Sequence, residues 1–189
     1  MSTKTVWITG ASSGIGREFA AELRAKHGTL CRIVPADLEQ DAQVTALCEA
    51  LADERIDLFI NNAGFGACGA FSETDAGKEL SMLRVNVLAM HRLFKFTLRK
   101  MEAQGFGTIL NVASSAGLLP GGPYMAGYYA SKAYEQHSPV YVCALCPGPV
   151  DTEFNDRADV VFALKGITPE LCVEEAMRGM LRRKTIIVP

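Results

Sequence analysis

The 189-residue sequence lacks the features of several common protein classes. Its net charge is only −2, so no basic excess is present to hold a nucleic acid. Its three histidines and six cysteines lack the spacing of a zinc site or a disulfide framework. Cys143 and Cys146 are three residues apart in a predicted strand, where side chains at that spacing face opposite sides. We therefore expect reduced, buried thiols, no metal ion and no nucleic-acid partner.

Long uninterrupted apolar runs are also missing. The early run Val6-Trp7-Ile8 is too short for a signal peptide and meets a glycine-rich turn at once. The uncharged stretch from Thr108 to Ser131 has the length of a membrane span, but several Gly and Pro residues interrupt it. We expect a cytoplasmic protein without a membrane partner. The length and the 49% hydrophobic content suit a single domain, residues 1–189.

A glycine-rich turn follows the first predicted strand. The apolar run Thr5 to Ile8 stops at Thr9-Gly10-Ala11-Ser12-Ser13-Gly14-Ile15-Gly16, and apolar residues then recur at helical spacing. Glycines let a phosphate approach the backbone, and a helix start offers free N–H groups and the positive end of the helix dipole. Ser12 and Ser13 add hydroxyl donors. The strand–turn–helix context favours a dinucleotide site over a plain tight turn.

Strands and helices alternate along the rest of the chain. After the first strand, apolar runs predict strands at 31–35, 56–60, 108–112, 140–145 and 185–188. Thr74 or Asp75, and later Thr168 with Pro169, are typical helix starts. Helical spacing predicts inward faces made of Ile15, Phe19 and Leu23; Val44, Leu47 and Leu51; Leu80, Leu83, Val87, Met90 and Phe94; and Leu171, Met177 and Leu181. The alternation predicts a parallel α/β sheet with ligands at the carboxyl ends of the strands.

Tyr128 and Lys132 form the candidate for chemistry. They are four residues apart, so on a helix their side chains lie on one face. An ammonium group beside a phenol favours the phenolate, which suits acid–base chemistry near neutral pH. An upstream hydroxyl, from Ser114 or Ser115, could hold a carbonyl oxygen against the phenol. An isolated pair of this kind is more often a buried Tyr and a solvated Lys, so the other motifs must decide.

Taken in order, the motifs resemble the short-chain dehydrogenase/reductase family along nearly the whole chain. The glycine turn looks like the family's cofactor loop, Asp37-Leu38 like its adenine contact, and Asn61-Asn62-Ala63-Gly64 like its central-strand motif. The remaining matches follow in the family's order: Asn86, Ser114, Tyr128-x-x-x-Lys132 and Pro147-Gly148. The resemblance implies a Rossmann-like doubly wound parallel sheet. It also implies a hydride transfer between NAD(P)(H) and a carbonyl or secondary alcohol.

The resemblance assigns roles residue by residue. It implies that Tyr128 is the general acid/base and that Lys132 activates it and binds the nicotinamide ribose. Ser114, with Ser115 as the fallback, would polarise the substrate oxygen, and Asn86 would hold a water in the proton relay. The implied cofactor-binding residues are Thr9, Gly10, Ser12, Ser13, Gly14, Ile15, Gly16, Asp37, Leu38, Asn62, Ala63, Gly64, Tyr128, Lys132, Pro147, Gly148, Val150 and Thr152. Family members commonly form homodimers or homotetramers.

The choice between NAD and NADP depends on how Asp37 is read. It follows Gly16 by 21 residues, where a dinucleotide fold places its ribose-binding acid, and that spacing alone predicts NAD. Asp37-Leu38 leads instead into a helix and then Asn-Asn-Ala-Gly, which matches the family's adenine contact. The discriminating residues are then missing. The resemblance to relatives that share Asn-Asn-Ala-Gly-Phe-Gly favours NADP.

Two departures from the family pattern stand out. The first helix leads directly to the Asp37 strand, so one strand and one helix are missing. The helix of Tyr128 meets Ser138-Pro139 after about two turns, where the family has a long helix. Three explanations are open: residues missing from this sequence, true internal deletions, or a compact variant. We favour the first, because both junctions fall inside regular elements and deletions there would remove buried structure.

Two other functions are compatible with parts of the pattern. A non-catalytic NAD(P)-binding or regulatory protein of the same fold would keep the glycine turn but lack a working site. A related sugar-nucleotide epimerase is disfavoured, because the loop has Gly-x-x-x-Gly-x-Gly spacing and no sizeable substrate domain follows.

The departures generate a direct test. If residues are missing from the two junctions, the intact protein will have a mass above the 20.4 kDa of the 189 residues. Mass spectrometry of the purified natural protein measures this. A mass of 20.4 kDa would exclude the favoured explanation.

Overall fold

Five parallel strands form one sheet in the order β1-β2-β3-β4-β5. The computed structural model describes residues 4–28, 30–119, 124–133, 141–158, 160 and 165–189. The strands are β1 Val6–Ile8, β2 Leu58–Asn61, β3 Thr108–Val112, β4 Val142–Leu145 and β5 Ile186–Ile187. The helices are α1 Gly14–His27, α2 Asp41–Ala50, α3 Ala76–Leu83, α4 Met90–Gln104, α5 Ala126–Ala133, α6 Phe154–Ala158 and α7 Pro169–Leu181. The Rossmann-like parallel α/β fold is therefore confirmed.

The strand register brings the carboxyl ends of the strands together. Asn61 of β2 lies opposite Asn111 of β3, and Val112 lies opposite Leu145 of β4. Asn61 and Asn111 also share a side-chain hydrogen bond of 3.3 Å. The loops that carry the predicted site residues leave β1 to β4 at this end of the sheet.

Helices cover both faces of the sheet. On one face, Phe19 of α1 and Val173 of α7 pack in one buried cluster with residues of β2 to β5. On the other, Val44 of α2 and Leu93 of α4 pack against Phe59 of β2. No helix in the described part of the chain combines the length and the apolar character that crossing a bilayer requires.

The predicted inward faces of two helices are partly wrong. Leu80, Leu171 and Leu181 are exposed. Met82 is buried in α3, and Cys172 and Ala176 are buried in α7. In α7 the reason is close packing, since a Cβ on Gly179 would lie 2.6 Å from the Ile187 side chain. A helix this near the sheet buries its small residues and turns its leucines outward.

The predicted strand at 31–35 is wrong. These residues have no regular secondary structure, and Ile33 is 88% exposed. A strand requires a neighbour for its backbone hydrogen bonds, and β1 pairs with β2 alone among the described residues. Ile33 and Val34 give this segment the residue types of a strand. Without a neighbouring strand to bond, that preference does not produce one.

The predicted helix caps are confirmed. The Asp75 carboxylate accepts a 2.6 Å hydrogen bond from the N–H of Lys78 at the start of α3. The Thr168 hydroxyl accepts a 3.3 Å bond from the N–H of Leu171, with Pro169 at the first position of α7. The predicted break in the Tyr128 helix lies outside the described residues.

The six cysteines are free, but only some are buried as expected. Cys143, Cys146 and Cys172 are buried, Cys48 and Cys68 are half-buried, and Cys31 is exposed in the segment that forms no strand. Burial raises the pKa of Cys143 to about 11 and that of Cys172 to about 12. These two thiols therefore stay protonated at neutral pH and are poor nucleophiles.

A matched pair of isoleucines tests the correction at 31–35. Ile56 is 0% exposed and Ile33 is 88% exposed. We expect Ile56→Ala to lower the free energy of unfolding by about 2–5 kcal/mol through lost burial and a cavity. Ile33→Ala should change it by less than about 0.5 kcal/mol. Urea unfolding measures both, and equal losses would show that 31–35 is packed.

Candidate active site

A cavity of about 310 Å³ lies at the carboxyl ends of the strands. Its walls come from the glycine turn, the loops after β2, β3 and β4, and helix α5. The predicted site residues that line it are Gly10, Ser12, Ser13, Gly14, Ile15, Asn62, Ala63, Gly64, Ser114, Tyr128, Lys132, Pro147, Gly148, Val150 and Thr152. Motifs up to about 140 residues apart in sequence thus meet around one space.

Thr9 and Asn62 fix the shape of the glycine turn. The Thr9 hydroxyl accepts hydrogen bonds of 2.9 and 3.0 Å from the N–H groups of Asn62 and Ala63. The Asn62 amide donates to the carbonyls of Thr9 and Gly10 at 3.0 and 3.3 Å. Thr9 therefore tethers the turn to the loop after β2, behind the cavity wall.

Two glycines of the turn are required by geometry. Gly10 has φ +65°, a left-handed conformation that side chains disfavour. A Cβ on Gly16 would lie 2.5 Å from the carbonyl oxygen of Gly10 and closer still to the Asn62 amide. Gly16 thus makes no wall of the cavity but lets α1 begin directly beneath the turn.

Tyr128 and Lys132 lie on α5 as the sequence predicts. The Tyr128 side chain is 8% exposed, and its ring centroid is 5.5 Å from that of Phe154. Lys132 is 5% exposed, and its Nζ donates a 3.0 Å hydrogen bond to the carbonyl of Val112 at the end of β3. This bond joins α5 to the central strand. The phenol and the ammonium are therefore positioned by buried structure.

Asn86 is fully buried in a π-helical turn, Arg84–Ala89, between α3 and α4. Its Oδ1 accepts a 3.0 Å bond from the N–H of Phe65, and its Nδ2 donates 2.9 Å to the Phe65 carbonyl. Nδ2 also lies 3.2 Å from the Ser131 hydroxyl, which donates to the Tyr128 carbonyl at 2.8 Å. Asn86 thus links the loop after β2 to the helix of Tyr128.

Ser114 and Ser115 both line the cavity, so the choice between them stays open. The Ser114 hydroxyl accepts a 3.2 Å bond from the N–H of Ala116 and caps the short 3₁₀ turn Ser115–Leu118. Its oxygen is 3.5 Å from the Pro147 carbonyl. Ser114 is held between the loops after β3 and β4, which gives it the more defined position.

Asp37 and Leu38 do not meet the other predicted residues. Neither lines the cavity. The Asp37 carboxylate accepts a 3.0 Å bond from the N–H of Glu39, and its N–H donates to the Gln43 side chain in α2. Leu38 packs against the cluster beneath α2 and α4. In this structure the pair organises the start of α2.

Several residues with a place in the site are not among the residues that the sequence predicts. Ser131 bonds Asn86 and the Tyr128 carbonyl, and its position beside Lys132 was the available clue. Glu153 and Asn155 lie at the end of the loop after β4 and in α6, beyond Thr152, the last residue that the sequence predicts there. Their contacts reach α1 and the cavity, 130 or more residues away in some cases, so no local pattern reveals them.

The donor set of the cavity fits a dinucleotide. The N–H of Gly14 at the start of α1 already binds an anion, the Glu153 carboxylate, at 3.1 Å. Among the described lining residues the charged side chains are Lys132 and Arg157, both cationic. Asn155 also lines the cavity, and its buried Oδ1 has no hydrogen-bond partner within the described structure. It is an acceptor available to an amide donor such as a carboxamide.

Comparison with known proteins agrees with this geometry. The family model for short chain dehydrogenase matches residues 18–160, and the chain belongs to that family. YbbO, an uncharacterized oxidoreductase of Escherichia coli, is 33% identical over an alignment of 187 positions. The alignment covers 82% of this chain and 69% of that protein. The family resemblance drawn from the motifs is confirmed.

Two solved structures share the fold and contain a nicotinamide cofactor. A short-chain dehydrogenase from Sphingobium yanoikuyae in complex with NADPH is 29% identical, with a TM-score of 0.88 over 99% of this chain and 88% of that one. One from Burkholderia phymatum in complex with NAD is 25% identical, with a TM-score of 0.83 over 99% and 89%. These are the two cofactors that the sequence predicts.

A pair of glycine substitutions tests the packing of the turn. Gly16→Ala should lower the free energy of unfolding by about 1–3 kcal/mol, because its methyl group overlaps the Gly10 backbone. Gly127→Ala is the control, since only the flexible end of Met82, at 3.2 Å, faces the new Cβ in α5. It should be neutral or stabilising by up to about 1 kcal/mol. Urea unfolding of both variants makes the comparison, and a harmless Gly16→Ala would contradict the tight turn.

Proposed function

We propose that this chain is an NAD(P)(H)-dependent oxidoreductase that moves a hydride between the cofactor and a carbonyl or secondary alcohol. The observation that carries the proposal is that Tyr128 and Lys132 share one cavity with the glycine turn of α1. NADP is the preferred cofactor, on the resemblance in Asn61 to Gly66. A cytoplasmic location and a homodimer or homotetramer belong to the proposal on family resemblance alone.

The cofactor would lie along the carboxyl ends of the strands. The turn from Gly10 to Ile15, with Ser12 and Ser13, would hold the phosphates against the start of α1. Val150, Thr152 and the unpaired Oδ1 of Asn155 would face the carboxamide end. Lys132 would bind the nicotinamide ribose. When bound, the nicotinamide supplies or accepts the hydride.

Tyr128 acts as the general acid in reduction and as the general base in oxidation. Its hydroxyl gives a proton to the substrate oxygen as that oxygen gains charge. Lys132, held by the Val112 carbonyl, stabilises the phenolate that remains. Ser114, or Ser115 in its place, donates a hydrogen bond that polarises the substrate carbonyl.

A proton route leads from Lys132 towards Asn86. A Cβ on Gly64 would lie 2.9 Å from Asn86 Oδ1 and 3.4 Å from Lys132 Nζ, so both groups lie close to Gly64. Because Gly64 has no side chain, both polar groups face the same space. This supports the role of Asn86 in holding a relay water, alongside its role in fixing the Phe65 loop.

The substrate wall beside Tyr128 is apolar. Phe65, Met125, Tyr129 and Phe154 pack against the cluster that contains Tyr128 and also line the cavity. Such a wall suits a ketone or alcohol with an aliphatic or aromatic body. An apolar wall would also lower the local dielectric around the reacting oxygen, which would strengthen the hydrogen bonds of Tyr128 and Ser114.

Two tyrosines one residue apart allow a matched test. Tyr128→Phe removes the proposed proton donor, so turnover of NADPH with a panel of aliphatic and aryl ketones should fall at least about 1000-fold. The dissociation constant for NADPH, from fluorescence titration, should stay within about twofold. Tyr129→Phe keeps the aromatic ring of the wall and removes only a hydroxyl with no assigned role in proton transfer, so it should retain most of the turnover.

Retained activity in Tyr128→Phe would refute the assignment of the acid/base. Tight binding of NADPH or NADH by the wild-type chain with no turnover of any ketone or alcohol would favour the non-catalytic alternative. Failure to bind either cofactor would refute both.

A further inference from the structure

Residues 152–158, here called the strap, contact both the start of α1 and Tyr128, on two sides of the cavity. The strap includes α6 and begins directly after Asp151 in the loop that follows β4. At its first end, Glu153 contacts the start of α1 through both carboxylate oxygens. Oε2 accepts a 3.1 Å bond from the N–H of Gly14, and Oε1 accepts a 2.9 Å bond from the Arg17 guanidinium.

The rest of the strap packs on the catalytic side. The Phe154 ring lies 5.5 Å from the Tyr128 ring. A Cβ on Gly66 would lie 2.9 Å from the Phe154 ring and 3.1 Å from Ala158, so α6 lies directly on the loop after β2. The residue that bonds α1 is therefore the immediate neighbour of the residue that covers Tyr128.

Thr152 faces the glycine turn from the same end of the strap. Its side chain would lie 3.3 Å from a Cβ on Gly14, and its hydroxyl accepts a 3.3 Å bond from the N–H of Phe154. Three consecutive residues thus contact three parts of the site: Thr152 contacts the glycine turn, Glu153 contacts α1, and Phe154 contacts Tyr128. A shift of Glu153 would move all three surfaces together.

We propose that Glu153 is a positioning residue that fastens the strap to α1 and so sets the shape of the cofactor site and the cover over Tyr128. The proposal rests on the function proposed above. Glu153 does not line the cavity. It acts through Thr152, which faces the glycine turn, and through Phe154, which packs on Tyr128.

The charge and exposure of the Glu153–Arg17 ion pair suit this role. Hydrogen bonds from the backbone N–H of Glu153 itself and from the Arg17 guanidinium hold the pKa of the Glu153 carboxyl below its ordinary value. The carboxylate is therefore charged at neutral pH. Arg17 and Glu153 are 60% and 45% exposed, and exposed ion pairs contribute little to global stability. Loss of the bridge should therefore free the strap without unfolding the domain.

The neighbouring Asp156 provides a matched control. It is an exposed acid on the same strap with no hydrogen bond or ion pair to α1 within the described structure. We would compare Glu153→Ala, Glu153→Gln and Asp156→Ala. Hydrogen exchange of the amides of residues 152–158 is measured on the cofactor-free chain, and the NADPH dissociation constant by fluorescence titration.

Glu153→Ala should speed exchange across the strap several-fold and raise the NADPH dissociation constant about three- to tenfold, while exchange in β2 and β3 stays unchanged. Glu153→Gln keeps an acceptor for the Gly14 N–H and should lie between Glu153→Ala and wild type. Asp156→Ala should match wild type in both measurements.

The proposal is overturned if Glu153→Ala matches Asp156→Ala in either measurement. It is also overturned if exchange in β2 and β3 accelerates as much as exchange in the strap, because Glu153 would then support the whole fold. If wild type binds neither NADPH nor NADH, the proposed function fails, whereas the exchange measurement still decides whether Glu153 fastens the strap.

Discussion

The buried side-chain amide of Asn86 holds the two halves of the candidate site together. It bonds both backbone groups of Phe65 in the loop after β2 and reaches α5 through the Ser131 hydroxyl. A buried amide that lost these partners would carry a penalty of about 1–3 kcal/mol for each unsatisfied group. The π-helical turn around Asn86 turns the amide inward, and the Lys132–Val112 bond then fixes α5 to the sheet.

Local patterns predicted the elements that are determined by local chemistry. The glycine turn was predictable because backbone geometry and helix N–H groups impose residue types at fixed spacing. Tyr128 and Lys132 were predictable as neighbours because four residues make one helical turn. The caps at Asp75 and Thr168 follow the same logic, since each satisfies backbone groups only three residues away.

The features that sequence reasoning missed depend on non-local contacts. Residues 31–35 have the composition of a strand, but no described strand pairs with the free side of β1. The resemblance predicts Asn86 as a site residue, but the helical pattern around it does not predict its burial, because an Asn in a helix is usually exposed. Only the loop after β2 and Ser131, 45 residues away, make its burial favourable. The contact of Glu153 with Gly14 spans 139 residues, and neither segment alone predicts it.

The proposed activity of this chain is the transfer of a hydride between a nicotinamide and a carbon bearing oxygen. The most direct measurement uses NADPH with deuterium at the transferable position of the nicotinamide ring and a panel of aliphatic and aryl ketones, followed by mass spectrometry. Hydride transfer by this chain would give an alcohol that carries one deuterium on the carbinol carbon. Cofactor binding without a labelled alcohol from any ketone in the panel would contradict it.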